Sequence, residues 1–115
     1  MNFTDTILDA LDFPIIVVSG EIDDLGRIVF VNDKAARLHG YNKEELLDCS
    51  LMLLEDQNEF EKVRDAAEKI FAGESVCISV VHRKKNGDEL FLHSCAKLFV
   101  YENLKYILIK SDLVI

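Results

Sequence analysis

Along the chain, short apolar runs of strand length are separated by stretches of helical period. Residues 4–12 put Ile7, Leu8 and Leu11 on one side of a helix too short to persist unless it docks on something. Phe13 to Val18 is a continuous apolar run, Gly26 marks a turn, and Arg27 to Asn32 is rich in β-branched and aromatic residues, so the two runs read as an antiparallel pair. Asn32 is placed to cap a short helix starting at Asp33, which Gly40-Tyr41 breaks. Asn42 with Glu45 three residues on resembles a capping box for a second short helix. Over Leu51–Leu54, strand and helix periods cannot be separated.

From Asn58 to Ala72 the helical period is strong. Phe60, Val63, Ala67, Ile70 and Phe71 share one face, Lys62, Asp65, Glu68 and Lys69 the other, and Gly73 supplies a stop. After Gly73 the pattern is all strand. Val76, Ile78 and Val80 alternate with more polar neighbours, Asn86-Gly87 signals a hairpin, Leu90, Leu92, Leu98 and Val100 share a parity, Asn103 marks a turn, and Tyr106 to Lys110 is the last strand. Two strands, a helical middle and a three-strand meander predict an α+β fold, an antiparallel sheet with helices covering one face.

The 115 residues suffice for one domain, with half of them hydrophobic. A formal charge of −8 and the lack of a basic stripe argue against a nucleic-acid partner, since Arg83-Lys84-Lys85 is explained by an exposed hairpin tip. No apolar run is long enough to span a membrane, and the acidic N-terminus does not read as a signal peptide, so no membrane contact is expected of this domain. Cys49, Cys77 and Cys95 have no zinc-ligand spacing and read as buried, reduced thiols, which implies the cytoplasm. No metal site is expected. Catalytic motifs are missing too: there is no P-loop, HExxH or nucleophile elbow, and the adjacent pairs Asp23-Asp24 and Glu44-Glu45 point apart. An enzyme reading, such as an isomerase with a cone-shaped cavity, would need polar acid–base residues where the main helix offers only apolar ones.

With the elements placed, Asp24 to Asn32, running through Gly26 to a helix-capping asparagine, resembles the signature of the PAS domain family. Gly40-Tyr41-Asn42-Lys43-Glu44-Glu45-Leu46 is similar to that family's glycine-tyrosine and "eEL" segment. Arg83 to Asp88, with Lys85 and Gly87, resembles its "KDG" hairpin, and Ser111-Asp112-Leu113 its "DIT"-like end. The order holds over residues 5 to 113, which divides the chain into an N-terminal flanking helix at 1–12 and the domain proper at 13–115.

The resemblance implies a five-stranded antiparallel sheet, a pocket between it and the helix at 58–72, and a sensory role. A small molecule would bind in the pocket, and its state would pass to an output domain such as a histidine kinase or diguanylate cyclase, usually in a homodimer. No output domain follows the last strand, so the chain reads as a piece of a longer protein. Val63, Ala67, Ile70 and Phe71 are expected to line the pocket from the helix, with Ile78, Val80, Leu92 and Leu108 from the strands. Strand parity does not by itself fix which face is inward, and the same residues could simply fill a solid core, leaving a ligand-free dimerisation or docking module.

The resemblance also implies a Glu45–Lys85 bridge, expected to act as a lid over the pocket. The cofactor stays open. Haem in this family usually takes a histidine from the long helix, and residues 58–72 contain none. A flavin adduct of the LOV type would need its reactive cysteine at Leu51, so Cys49 reads as an ordinary loop thiol. His39, His82 and His93 read as core-edge or strand-surface residues, His93 on a strand bordering the pocket.

Overall fold

The computed structural model describes residues 3–114. Helix α1 (Phe3–Ala10) precedes strands β1 (Ile15–Ser19) and β2 (Ile28–Val31). Then come α2 (Asp33–His39), α3 (Lys43–Leu46), two 3₁₀ turns at Leu51–Leu53 and Gln57–Glu59, and the long helix α4 (Phe60–Phe71). The meander β3 (Val76–Arg83), β4 (Glu89–Tyr101) and β5 (Leu104–Leu113) completes the chain. All five strands join one antiparallel sheet in the order β2-β1-β5-β4-β3. This is the α+β architecture the sequence pattern predicts.

The interior position of β1, between β2 and β5, explains its unbroken apolar run. Paired on both edges, it buries every residue from Ile15 to Ser19. Ile16, Ile109, Ala96 and Val76 form one row across four strands on the helix-facing side. Onto that side pack Val31, Ala35, Ala36, Leu46, Leu54 and Ile70.

The chain enters and leaves β1 under the control of Asn32, which is completely buried. Its Oδ1 accepts from the backbone N–H of Ile15 and of Ala35, both at 3.0 Å, and its Nδ2 donates to the carbonyls of Phe13 (2.8 Å) and Leu8 (3.3 Å). One side chain thus caps α2, fixes the start of β1 and tethers α1. Helix α1 is further held by Asp9, which pairs with Lys43 at 2.7 Å. Leu8 and Leu11 are half-buried as a result, and Ile7 stays exposed.

Two turns follow sequence logic with a difference. Glu102 and Asn103 both have positive φ between the paired Tyr101 and Leu104, a two-residue turn of mirror-image type. At the other hairpin the N–H of Gly87 donates to Lys84 and that of Lys84 to Asp88, so Lys85 and Asn86 are the central residues. Gly87 takes the left-handed position after them (φ 93°), a bulge rather than the tight Asn-Gly turn the dipeptide suggests. The Leu51–Leu54 stretch is neither strand nor α-helix but one 3₁₀ turn capped by the Ser50 side chain.

The cysteines differ from expectation. Cys77 and Cys95 are directly opposite on β3 and β4 and form a disulfide, with Cα atoms 4.0 Å apart. They lie on the sheet face away from the helices, where Cys77 is exposed, and Cys49 is only half-buried. Strand parity is the reason: Val76 and Ile78 take the inward positions and leave Cys77 outside. The expectation of three buried, reduced thiols is therefore corrected, and the compartment argument built on it lapses.

Two predictions follow from these contacts. Asn32→Ala leaves four backbone groups without their partner and is expected to lower unfolding free energy by about 3 kcal/mol or more in urea; a loss below about 1 kcal/mol would show that water replaces it. Alkylation of the native protein without reductant is expected to label Cys49 alone by mass spectrometry, and all three cysteines after reduction.

Candidate functional site

Between the inner face of the sheet and α4 lies a cavity of about 240 Å³. Its helical wall is Val63, Ala66, Ala67, Ile70 and Phe71, and its sheet wall includes Ile16, Val18, Val76, Ile78, Val80, Ala96, Ile107 and Ile109. The space exists because facing positions are small: Ala66 and Ala67 on the helix look toward Ala96 and Ser94 on β4. Leu25, Met52 and Phe71, all well exposed, form its rim beside Gly26 and Leu51.

Of the residues expected from sequence to line a pocket, Val63, Ala67, Ile70, Phe71, Ile78 and Val80 lie on this wall. Two do not. Leu108 pairs with Val17 and Lys97, one residue out of phase with the inward Ile107 and Ile109, and so faces the other side of the sheet. Leu92 faces inward but is packed solid with Val80 and Leu90, under Leu38, Val63 and Ile78, beside the cavity rather than on it. His93, placed on a pocket-bordering strand by sequence, is exposed on the outer face with Cys95.

The recurring motif residues form a frame around this site. Gly26 (φ 87°) turns the chain into β2. Gly40 (φ 81°) ends α2 by donating to the carbonyls of Ala36 and Arg37, a conformation costing any residue with a Cβ about 1 kcal/mol. The next amide, of Tyr41, also bonds Ala36. Glu45 accepts from the N–H of Asn42 at 2.9 Å with one oxygen and from the Lys85 ammonium with the other. Lys85 also lies over the Tyr41 ring, and its N–H bonds the carbonyl of His39. The Glu45–Lys85 bridge therefore forms, but neither residue borders the cavity. It clamps the β3–β4 hairpin onto α3 and is no lid.

Sequence reasoning missed the polar end of the cavity. His82, on β3, is on the wall and buried, and its Nδ1 lies 2.8 Å from Nε2 of the buried His39. His39 Nδ1 lies 2.8 Å from the carbonyl of Ala35, which can only accept. The proton order is thereby fixed: His39 donates from Nδ1, His82 donates from Nδ1 to His39 Nε2, and His82 Nε2 is left with its lone pair. Burial, and next the neighbouring His39, push the His82 pKa down to about 3, and burial lowers that of His39. Glu55 is the other ionisable wall residue; burial raises its carboxyl above the usual range. Only their 43-residue separation hid the histidine pair, for each alone looks like an ordinary core-edge residue.

Among the described residues the one close His/Cys cluster, Cys77, His93 and Cys95, lies on the outer face, and two of its sulfurs are bonded to each other.

A family profile described as PAS domain matches residues 13–111. No curated protein matches the chain in sequence. Solved structures with the same fold include the PAS domain of an HTR-like protein from Haloarcula marismortui, at 17% identity and TM-score 0.80 over 96% of this chain and 88% of that one. A domain of the sensory box sensor histidine kinase/response regulator from Geobacter sulfurreducens is 20% identical, with TM-score 0.75 over 95% and 90%. The LOV protein of Rhodobacter sphaeroides is 14% identical, with TM-score 0.81 over 99% and 69%. At these identities the likeness establishes the fold alone.

The histidine pair predicts a pH dependence. A base whose pKa is lower folded than unfolded leaves the native state with fewer protons, so stability is full above about pH 6.5 and falls as pH drops below it. From pH 6.5 to 5, His82 alone is expected to cost about 1.5 kcal/mol of unfolding free energy. Glu55, with its raised pKa, works in the opposite sense nearer its own range. Urea unfolding of His82→Phe across this window is expected to show a flatter slope than wild type; equal slopes would mean the pair is not neutral in the folded state.

Proposed function

The chain belongs to the PAS domain family, and from that premise we propose that it is the sensory input of a signalling protein, binding a small molecule in the cavity between the sheet and α4. The observation that carries this reading is the cavity itself. Close-packed interiors seldom leave a space larger than a water molecule, and this one is mostly apolar, partly open and walled by the main helix. A few polar groups set in such a wall are what a small-molecule site needs.

In this reading the role is sensory rather than catalytic, and occupancy is relayed to an output domain such as a histidine kinase or diguanylate cyclase in a two-component or cyclic-nucleotide pathway. The sensor histidine kinase among its structural neighbours supports that partner. The relay would run through α1, because Asn32 and Lys43 tie that helix to the same elements that frame the cavity. The domain would act as a homodimer, with the exposed Ile7 on α1 as part of the contact, and on the cytoplasmic side with its output. No helix among the described residues is long and apolar enough to cross a membrane.

Native mass spectrometry of freshly purified protein, paired with an NMR titration by small apolar probes, tests the site. The expected result is an added mass lost on denaturation, or probe-induced shifts confined to Val63, Ile70, Ile78 and Ile107. A bare mass together with unmoved spectra would contradict it. For the dimer, deleting residues 1–12 is expected to reduce the mass seen by light scattering to that of a monomer; an unchanged dimer would remove α1 from the interface.

A further inference from the structure

The polar end of the cavity has a definite chemistry. Glu55 and His82 are opposite each other in a short antiparallel bridge. The flanking bonds run from Arg83 N–H to the Leu54 carbonyl (2.8 Å) and from Asp56 N–H to the Val81 carbonyl (3.3 Å). Glu55 and His82 are therefore the non-hydrogen-bonded pair of the bridge, the geometry in which facing side chains stand closest on one side of the ladder. Both border the cavity.

Neither residue's free acceptor is used. Among the described residues no ion pair or side-chain hydrogen bond reaches the Glu55 carboxyl, and His82 Nε2 keeps its lone pair because Nδ1 is committed to His39. Among the described residues no fully buried side-chain nitrogen or oxygen lacks a partner. These acceptors consequently reach open space; the space that both residues share is the cavity, while Glu55 also borders an outer groove beside Gln57, Asn58 and Arg64. Among the described residues the wall carries no lysine or arginine. A carboxylate or phosphate entering it would meet Glu55 with nothing to neutralise either charge, a costly arrangement in an apolar site.

We propose that the Glu55–His82 corner is a head-group site for a small amphiphilic amine, whose ammonium donates to the Glu55 carboxylate and to His82 Nε2 while its hydrocarbon body lies along Ala66, Ala67, Ile70 and Ile107. An ammonium brings three donors and no acceptor, matching two acceptors that lack donors. It also supplies the counter-charge that the half-buried carboxylate lacks, and a charge-assisted hydrogen bond is roughly twice as strong as a neutral one. Because His82 is bonded to His39, and His39 to the Ala35 carbonyl in α2, a ligand at this corner pulls on the helix that Asn32 caps. This assignment rests on the cavity being a ligand site and adds which ligands enter it.

The test is a methyl-NMR titration at pH 7.5 with n-hexylamine, 1-hexanol and hexanoate, three probes with the same hydrocarbon tail. The methyl groups of Ile70, Ile78 and Ile107 report binding inside the cavity. The amine is expected to bind about tenfold more tightly than the alcohol, the difference between charged and neutral hydrogen bonding, and hexanoate most weakly. Glu55→Gln is expected to bring the amine down to the level of the alcohol and leave the alcohol unchanged. If the alcohol or hexanoate matches the amine in the wild-type protein, the head-group assignment is overturned while the ligand cavity stands. If Glu55→Gln folds and leaves amine affinity intact, it is overturned as well. If none of the three moves the cavity methyls, the head-group assignment is overturned too, and if the native mass is also bare the ligand reading falls with it.

Discussion

The buried amide of Asn32 is the interaction on which the rest of this fold depends. A side chain with two donors and two acceptor positions is expensive to bury unless all are used. Here both ends are used on backbone groups from three separate elements. The start of β1 and the first turn of α2 are thereby locked in register with the end of α1. With β1 paired to β2 on one edge and β5 on the other, an error at Ile15 would propagate through both of its neighbours. The short helices α2 and α3 could not persist alone, and their caps and the Glu45–Lys85 clamp hold them against the sheet.

That rigid frame lets the fold tolerate an unfilled interior. On one side of α2 and α3 the core is solid, built from Ile28, Leu46 and Leu54, all fully buried. Toward α4 the facing residues shrink to alanine and serine, and close packing gives way to the cavity. The histidine pair stands at the border between the two regions. Its hydrogen bonds join the cavity wall on β3 to the carbonyl of Ala35 inside α2, so the polar end of the cavity connects to the frame instead of ending blindly in the core.

Much of this was legible in the sequence because it is local. Strand β1 is a run of apolar residues, α4 has an unambiguous period, and Asn32, Gly40 and Glu45 occupy positions where a cap or a left-handed turn is required. On α4, Val63, Ala67, Ile70 and Phe71 could be read from one helical face, while Ala66 beside them could not. The errors lie where chain-distant registers decide. The sequence alone misplaces Leu108, because strand parity on an isolated segment has no reference until its partners Val17 and Lys97 are known. Leu92 has the inward parity, but whether an inward residue meets a void or a neighbour depends on packing with Val80 and Leu90. The disulfide needed the β3–β4 register, which the 18-residue spacing of Cys77 and Cys95 does not disclose. The histidine pair and the unpaired Glu55 arise only from tertiary placement.

The central claim is that the space beside α4 is an open cavity kept for an occupant rather than a packed core. The most direct measurement is the unfolding free energy of Ala67→Leu in urea, since the added atoms must either enter that space or overpack it. An open cavity predicts stability equal to or above the wild type. A loss of about 1–3 kcal/mol, the cost of forcing extra carbons into a filled interior, would contradict the account.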